Sequence, residues 1–346
     1  MKIKQLYTTA IYEFGKRQNQ EDTLFPVAGT ATEDSRLFMV CDGMGGHEKG
    51  EVASQLVAET IATFMASAQD HDEPAEHLVR QAVEAALQRL DEAGAGSPES
   101  KKMGTTLTMT YFHRGGCLMA YIGDSRIYHV RPSERRILYK SRDHSLVYEL
   151  FLAEEISFEE MATHPKKNVI TRAMMPGLDE RPMASIAQTT DIQAGDLFYL
   201  CSDGMLEQMS DEELLSVLCA DSSLDEKKAV LIEATKNNAD NHSAYLIQVG
   251  QVEREEGDED FPNDEQETRC NALRYEKKRP SSEPPSIQST SSDSLSMPRE
   301  VKHSASPQPS PANPSAPMTK KLVAFFLFLF VLAFIIFLIL HLLNIL

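Results

Sequence analysis

Acidic residues stand at the ends of apolar, β-rich runs at several points of the sequence. Asp42 directly follows such a run and precedes three glycines in four positions, and Asp203 follows another run after one small residue. Asp240 precedes the last β-rich run, and Glu21 and Asp22 close the segment RQNQED near the N-terminus. A strand end holds a carboxylate rigidly, and a neighbouring glycine lets a backbone carbonyl approach a ligand. The pattern indicates a site assembled from acidic side chains.

These carboxylates predict a cation site. Several carboxylates that converge repel one another unless a cation lies between them. No His or Cys stands at metal-ligand spacing, and a set of oxygen ligands favours Mg²⁺ or Mn²⁺ over zinc. Taken alone, each Asp-Gly pair is more typical of an ordinary turn. A turn needs no particular preceding strand, however, and both Asp-Gly pairs here follow apolar runs of similar composition.

The elements that must position these acids are strands and helices within residues 1–250. Apolar and β-branched runs predict strands at 37–41, 105–112, 117–122, 126–130, 137–140, 196–201 and 244–249. Helical spacing of apolar residues predicts helices at 50–66, 74–90, 145–152, 211–218 and 225–237. A capping box, Ser210 with Glu213, precedes one of them. The turns at 114–116 and 123–125 are too short for a helical crossover, so the strands that they join pair antiparallel. Helices segregated from antiparallel strands predict an α+β layer fold.

The composition and charge restrict what the chain can bind and where it resides. Its 346 residues suit one large domain plus further segments. A formal net charge of −18 argues against nucleic acid as a partner, because phosphates repel such a surface. Five cysteines without a Cys-x-x-Cys pair indicate neither a disulfide framework nor structural zinc. The N-terminus lacks the apolar run of a signal peptide, so we expect a reducing compartment.

Residues 251–319 predict a disordered linker. Nine acids and one arginine stand between positions 253 and 267, and twelve Ser and nine Pro stand between positions 280 and 319. Such a segment cannot bury enough apolar area to offset the entropy of ordering it. A basic cluster of Arg274, Lys277, Lys278 and Arg279 could bind a membrane surface or a partner, although solvated charge in a linker is the simpler interpretation.

Residues 320–346 predict a membrane-spanning tail anchor. Positions 322–346 are apolar apart from His341 and Asn344 and contain no Asp, Glu, Lys or Arg. A helix of this length reaches about 37 Å at about 1.5 Å per residue, more than the bilayer core of about 30 Å. The alternative, a buried core helix, would be shorter and carry more polar positions. Lys320 and Lys321 precede the span, so we expect residues 1–250 to stay in the cytoplasm.

Eight blocks within residues 7–249 occur in the order of a known family. The blocks are RQNQED (17–22), CDGMGGHEKGEVAS (41–54), MGTTL (103–107), IGDSRIY (122–128), RDHSL (142–146), NVITRAM (168–174), CSDGMLEQMSDEEL (201–214) and DNHSAYLIQV (240–249). They resemble the metal-dependent protein serine/threonine phosphatases of type 2C in their bacterial form. The resemblance implies two antiparallel β-sheets packed as a sandwich and flanked on both sides by α-helices.

The resemblance also implies a role for each acid. Asp42, a catalytic residue by this resemblance, would bridge two divalent ions, Mn²⁺ or Mg²⁺, and Asp203 and Asp240 would hold the first of them. Glu21 and the carbonyl of Gly43 would hold the second ion, partly through water. Two cations about 3.5–4 Å apart lower the pKa of a shared water, which attacks phosphorus in line. They also screen the charge on the phosphoryl oxygens.

Four further positions have implied roles or depart from the family pattern. Arg17 would act in catalysis by gripping the substrate phosphate, which suits a guanidinium fork. Asp124 would help to bind a third, more weakly held ion. Asp22 would orient the metal ligands or water without binding a metal itself. Met44 stands where eukaryotic relatives have a histidine that is proposed as the general acid. We do not transfer that role to the nearby His47 and expect a metal-polarised water instead.

The leading hypothesis is an active phosphatase for phosphoserine and phosphothreonine in proteins. A membrane-bound kinase and its phosphorylated targets are the expected partners, together with the lipid bilayer through residues 322–346. One alternative is a catalytically silent module that binds phosphoproteins, which is disfavoured because all the metal carboxylates are present. A second alternative is a phosphatase for small molecules. The stretch 151–167 predicts a mobile flap over the site, and the choice between Mn²⁺ and Mg²⁺ stays open.

Overall fold

The computed structural model describes residues 1–45, 49–68, 73–97 and 100–254, which form two antiparallel β-sheets and six α-helices. The strands are β1 (Lys2–Glu13), β2 (Asp22–Phe25), β3 (Leu37–Met44), β4 (Gly104–Thr105), β5 (Leu107–His113), β6 (Gly116–Ile122), β7 (Arg126–Arg131), β8 (Arg136–Lys140), β9 (Ser185–Thr189), β10 (Leu197–Cys201) and β11 (His242–Glu253). The helices are α1 (Lys49–Ser67), α2 (Ala75–Gly94), α3 (Leu146–Leu152), α4 (Phe158–Thr163), α5 (Asp211–Leu218) and α6 (Leu224–Thr235).

The first sheet has the strand order β1-β11-β10-β7-β8. The second has the order β2-β3-β5-β6-β9, with the short β4 beside β3. All the strand pairs in the described residues are antiparallel. The predicted α+β fold with two antiparallel sheets is therefore confirmed.

Three clusters of buried apolar side chains hold these layers together. Between the sheets, the rings of Phe112 and Phe198 meet edge to face with centroids 5.0 Å apart. On the outer face of the second sheet, Ile61 of α1 and Leu87 of α2 are buried, and on the outer face of the first sheet Leu214 of α5 is buried. Burial of each such side chain contributes about 1.5–3 kcal/mol. Helices therefore cover both outer faces of the sandwich.

The structure differs from the predicted elements in three respects. β3 continues to Met44, so Asp42 lies inside the strand rather than after it, because the pairing with β2 and β4 extends through these positions. The predicted strand 105–112 is divided at Thr106 into β4 and β5. Strands β1, β2 and β9 and helix α4 were not predicted. β1 is interrupted by register shifts between Ile3 and Leu6, β2 has only four residues, β9 has one buried residue, and α4 has none.

The predicted linker and tail anchor lie outside the described residues from position 255 on. Strand β11 continues past the predicted domain end at position 250, as far as Glu253. Among the helices that the structure describes, none combines the length and the apolar character that crossing a bilayer requires. All the described residues belong to one compact unit.

Candidate active site

The backbone of Asp42 is fixed by the strands on either side of it. Asp42 lies directly opposite Asp22 of β2. Its N–H donates to Thr106 Oγ1 at 3.0 Å, and its carbonyl accepts from Thr106 N at 2.9 Å and from Thr105 Oγ1 at 3.0 Å. Thr106 Oγ1 in turn lies 2.7 Å from Ser125 Oγ of the neighbouring loop. The most central of the predicted metal ligands therefore stands on a rigid support.

Asp124, Asp203 and Asp240 reach the same end of the sandwich from the first sheet. Strand β10 ends at Cys201, which pairs with Arg126 at the start of β7. The loop before β7, with Asp124, is therefore adjacent to the loop after β10, with Asp203. The same end of β10 pairs with the beginning of β11, which Asp240 precedes.

The carboxylates of these loops and strands influence one another electrostatically. Burial first, and then the charges of neighbouring carboxylates, raise the pKa of Asp22 to about 7, that of Asp203 to about 6 and that of Asp124 to about 8. The same two causes raise the pKa of Asp42 well above its usual range, with Asp240 among the charges that act on it. The five side chains thus share one region.

This acidic region suits a divalent cation by its donor chemistry. Within the described residues, three buried carboxylate oxygens have no hydrogen-bond partner, namely Oδ1 of Asp22, of Asp124 and of Asp203. A buried polar atom without a partner is costly, and a cation would satisfy these oxygens and cancel their repulsion. Oxygen donors alone suit Mn²⁺ or Mg²⁺. In the part of the chain that the structure describes, however, no three His, Cys, Asp or Glu side chains are already arranged to hold a metal. The role of each ligand stays a prediction.

Gly43 and Gly50 allow the backbone to close around Glu21. The N–H of Gly43 donates to the carbonyl of Glu21 at 3.1 Å. A methyl group at position 43 would lie 2.2 Å from the carbonyl oxygen of Gly50 and 2.4 Å from that of Glu21, and one at position 50 would lie 2.9 Å from Glu21 Oε1. Burial raises the pKa of Glu21. The predicted second-ion ligands Glu21 and Gly43 are therefore direct neighbours.

Arg17 places a positive charge at the border of the acidic region. Its Nη2 donates to Asp240 Oδ2 at 2.7 Å, and its Nη1 lies 3.7 Å from Glu21 Oε2. The side chain is 50% exposed, so part of its planar fork is open to an incoming anion. A guanidinium group held in this way is suited to a phosphate group.

Sequence reasoning missed the partners of two acids near the site. Ser202 Oγ donates to Asp22 Oδ2 at 2.8 Å. Arg126 donates two hydrogen bonds to Asp143, at 2.7 and 2.6 Å, and the charge of Asp143 helps to raise the pKa of Asp124. The blocks IGDSRIY and RDHSL contain Arg126 and Asp143, but nothing in their sequence indicates that the two residues pair.

The predicted flap, 151–167, contains α4, which begins with a capping box of Ser157 and Glu160. After the flap the chain returns to the core at Met174, which is fully buried. Met174 and Thr105 exchange two backbone hydrogen bonds of 3.0 and 2.9 Å. Thr105 also donates to the carbonyl of Asp42, so the end of the flap segment is connected to the site. The mobility of the flap stays a prediction.

Met44 takes its place in strand β3, where its backbone pairs with Gly104 of β4. A thioether carries no proton to donate. Met44 therefore offers no general acid, and His47 lies outside the described residues.

Buried acids that gather at one end of a helix-covered sandwich, beside an arginine, fit the class of metal-dependent phosphatases that the eight blocks resemble. The family model for protein phosphatase 2C matches residues 15–238. The chain belongs to this family, and the resemblance based on the eight blocks is confirmed.

Similar curated proteins come from bacteria. The serine/threonine protein phosphatase PstP of Mycobacterium tuberculosis is 35% identical over 206 residues, which cover 58% of this chain and 36% of PstP. The protein phosphatase PhpP of Streptococcus pneumoniae is 28% identical over 243 residues, which cover 69% of this chain and 96% of PhpP. The match thus spans little more than a third of PstP but nearly all of PhpP.

Solved structures of bacterial phosphatases share the fold. The crystal structure of Mycobacterium tuberculosis PstP has a TM-score of 0.61 and 31% identity, and the match covers 71% of this chain and 100% of that one. A catalytic domain of PstP in complex with two manganese ions has a TM-score of 0.58 and 31% identity, with 71% and 99% of the two chains covered.

Proposed function

We propose that this chain is a metal-dependent protein phosphatase that hydrolyses phosphoserine and phosphothreonine residues. The observation that carries the proposal is the acidic region, in which buried carboxylate oxygens lack partners and the pKa values of Asp22, Asp124 and Asp203 are raised. The neighbouring Arg17 adds a group that suits phosphate. The relative PstP, in which two manganese ions are bound, supports the choice of metal.

The acidic residues divide between two ions in this proposal. When bound, two divalent ions supply an activated water and screen the charge of the phosphoryl group. Asp203 and Asp240 would hold the first ion, Glu21 and the Gly43 carbonyl would hold the second, and Asp42 would contribute to both. The support from β2, β4 and the Thr106 hydroxyl keeps the Asp42 backbone in place during the reaction.

The remaining residues bind and orient the substrate. Arg17, which Asp240 and Glu21 hold on one side, would bind the phosphoryl oxygens with its exposed donors. Asp22, which is buried and lies opposite Asp42, would orient the metal ligands or water. Asp124 would hold a third, weaker ion. Because Met44 has no proton to give, the leaving seryl or threonyl oxygen would take its proton from water that reaches the site.

The test is turnover of phosphoserine, phosphothreonine and phosphotyrosine peptides by the full chain, with and without Mn²⁺. Asp42→Asn should lower the rate by about 10²-fold or more, as loss of a transition-state electrostatic group does. The matched control Asp34→Asn, at an exposed position, should keep the wild-type rate. Activity that persists in Asp42→Asn or in full chelator contradicts the proposal. Peptide binding without turnover favours a silent module, and equal rates on sugar phosphates favour a small-molecule phosphatase.

We also propose that residues 322–346 anchor the enzyme in a membrane, with the catalytic domain on the cytoplasmic side. The support is the uncharged apolar run and the preceding Lys320 and Lys321. A linker of about seventy residues would keep the enzyme concentrated near membrane-bound kinases and their targets.

Membrane fractionation of the full chain and of a version that ends at Arg254 tests the anchor. The shorter version keeps every described strand and helix. The full chain should need detergent for extraction, whereas the shorter version should not sediment with membranes. Equal behaviour of the two versions contradicts the anchor and leaves the phosphatase proposal untouched.

A further inference from the structure

Asn241 connects the start of β11 to the loop between β1 and β2. Its side chain is almost fully buried, with 3% of the residue exposed. The Nδ2 group donates to the carbonyl of Phe14 at 3.0 Å and to that of Asn19 at 2.9 Å. The Oδ1 atom accepts from the N–H of Glu21 at 2.9 Å. One side chain thus fastens three backbone positions of a single loop that lies more than 200 residues earlier in the sequence.

A second set of contacts brings the same loop against the residue before Asn241. Gly15 has a φ of +58°, and a methyl group there would lie 2.1 Å from the carbonyl oxygen of Asp240. Only glycine allows this approach, because it tolerates the positive φ and has no side chain. Asp240 Oδ1 also accepts from the N–H of Asn241 at 2.8 Å. The backbone of Asn241 therefore contacts a proposed metal ligand, while its side chain holds the neighbouring loop.

We propose that Asn241 is a positioning residue, which sets the place of Arg17 relative to the phosphoryl group and of Glu21 relative to the second ion. The inference rests on the roles proposed for Arg17 and Glu21. Asn241 acts through the backbone of the loop and needs no contact with the substrate. A primary amide suits this task because it presents two donors and an acceptor on one planar group.

The loop depends on these hydrogen bonds for its preorganisation. Without the amide, the carbonyl of Asn19 and the N–H of Glu21 lose this partner and must turn to water, and the carbonyl of Phe14 keeps only the N–H of Arg17 at 3.2 Å. The backbone of Arg17 is then free to shift. Its side chain, which is half exposed, no longer reaches Asp240 from a fixed position. A displacement of about 1 Å in a group that positions the substrate can lower the rate by about 10²-fold. Loss of a residue that orients the ligands of a metal commonly weakens binding of the metal by about 10–100-fold.

The first experiment compares Asn241→Ala with Asp196→Asn in the full chain. Asp196 is a buried residue that binds His129 and Arg131 at the opposite end of β10, so its loss destabilises the fold away from the site. For Asn241→Ala we expect a KM for phosphopeptide raised roughly tenfold or more and Mn²⁺ binding, by calorimetry, weakened about 10–100-fold. Asp196→Asn should change neither quantity.

Limited trypsin digestion supplies a measurement that depends on neither metal nor turnover. Trypsin cleaves after Lys16 and Arg17, which both stand in the loop. Cleavage at these two positions should accelerate in Asn241→Ala and not in Asp196→Asn. If the alanine variant fails to fold, Asn241→Ser, whose side chain is too short to reach the loop, should show the same three shifts.

A double-mutant cycle shows whether Asn241 acts through Arg17. In an Arg17→Ala background, Asn241→Ala should add little to the KM, because residues that act through one another are not additive. Wild-type KM, Mn²⁺ affinity and tryptic cleavage in Asn241→Ala overturn the inference. If Arg17→Ala itself leaves the KM unchanged, the proposed role of Arg17 is wrong, and calorimetry and digestion still decide the role of Asn241.

Discussion

Ser202 and Asp22 are 180 positions apart in the sequence and are joined by a hydrogen bond of 2.8 Å, in which Ser202 Oγ donates to Asp22 Oδ2. Both residues are buried. The same hydroxyl oxygen accepts from the N–H of Ser243 at 3.0 Å. The Ser202 side chain thus links β2 of the second sheet to β11 of the first. Asp22, which lies opposite Asp42, is therefore held by both sheets.

The Ser202 hydroxyl is expected to contribute to stability. Ser202→Ala leaves a buried carboxylate oxygen and a buried N–H without this partner, so the free energy of unfolding should fall by about 1–3 kcal/mol. Urea denaturation measures this quantity. The control is Ser35→Ala, which removes an exposed hydrogen bond to the N–H of Thr32 and should change stability by no more than about 0.5 kcal/mol. Equal losses in the two variants contradict the prediction.

The pattern of apolar residues predicted the larger part of the fold. Strands such as β6 and β10 are continuous buried runs, and α2 has apolar residues at helical spacing. Strand β2 has only four residues, too few to show a period, and β1 changes register between Ile3 and Leu6. Pairing partners rather than local composition create these two strands, and pairing depends on the tertiary fold.

Residue type and motif order predicted which acids gather in the site, but not what holds them. The positions of Asp42, Asp203 and Asp240 followed from acids at the ends of apolar runs. Asn241 and Ser202 carry no comparable signal, because a single polar residue after an acid or before it is common in loops. Their importance comes from segments more than 170 positions away, which only the folded chain brings into contact.

The protein without metal is expected to lose stability as the pH rises. Asp22 and Asp124 have pKa values of about 7 and about 8 in the folded chain, against about 3.9 in an unfolded one. Their protonated forms are favoured by folding, so this stabilisation is complete below pH of about 4 and is lost as the pH rises through the folded values.

Thermal unfolding in chelator at pH of about 6.5 and about 8 measures this effect. The midpoint should be lower at the higher pH, and saturating Mn²⁺ should raise it more there, because the ion binds the ionised carboxylates. Asp124→Asn, which removes one titrating group, should reduce the difference between the two pH values. A response to Mn²⁺ that is equal at both pH values, or larger at the lower one, contradicts this account.

His113 is expected to make the fold sensitive to acid. Burial lowers its pKa to about 4, against about 6.5 for an unperturbed histidine. Its Nδ1 accepts from the N–H of Gly115 at 3.0 Å, and its ring stacks on Tyr111 with centroids 5.6 Å apart. The folded chain holds this imidazole neutral, so its stabilisation is present above pH of about 6.5 and is lost as the pH falls towards 4.

A substitution at position 113 separates this histidine from the other titrating groups. His113→Asn keeps an oxygen that can accept from Gly115 N–H but does not titrate. Its free energy of unfolding, measured in urea, should fall less than that of the wild type between pH of about 6.5 and about 4.5. Parallel losses in the two proteins would assign the acid sensitivity to other groups.

Gly43→Ala is expected to damage the site through the backbone. The added methyl group would lie 2.2 Å from the carbonyl oxygen of Gly50 and 2.4 Å from that of Glu21, so one of these segments must move. Overpacking of this kind costs about 1–3 kcal/mol, and displacement of Glu21 should weaken Mn²⁺ binding. Urea denaturation and calorimetry measure the two effects.

The matched control Gly96→Ala, whose methyl group would have its nearest neighbour 3.8 Å away, should bind Mn²⁺ like the wild type. Wild-type Mn²⁺ affinity in Gly43→Ala would show that the close contact between Gly43 and Glu21 is not needed for metal binding.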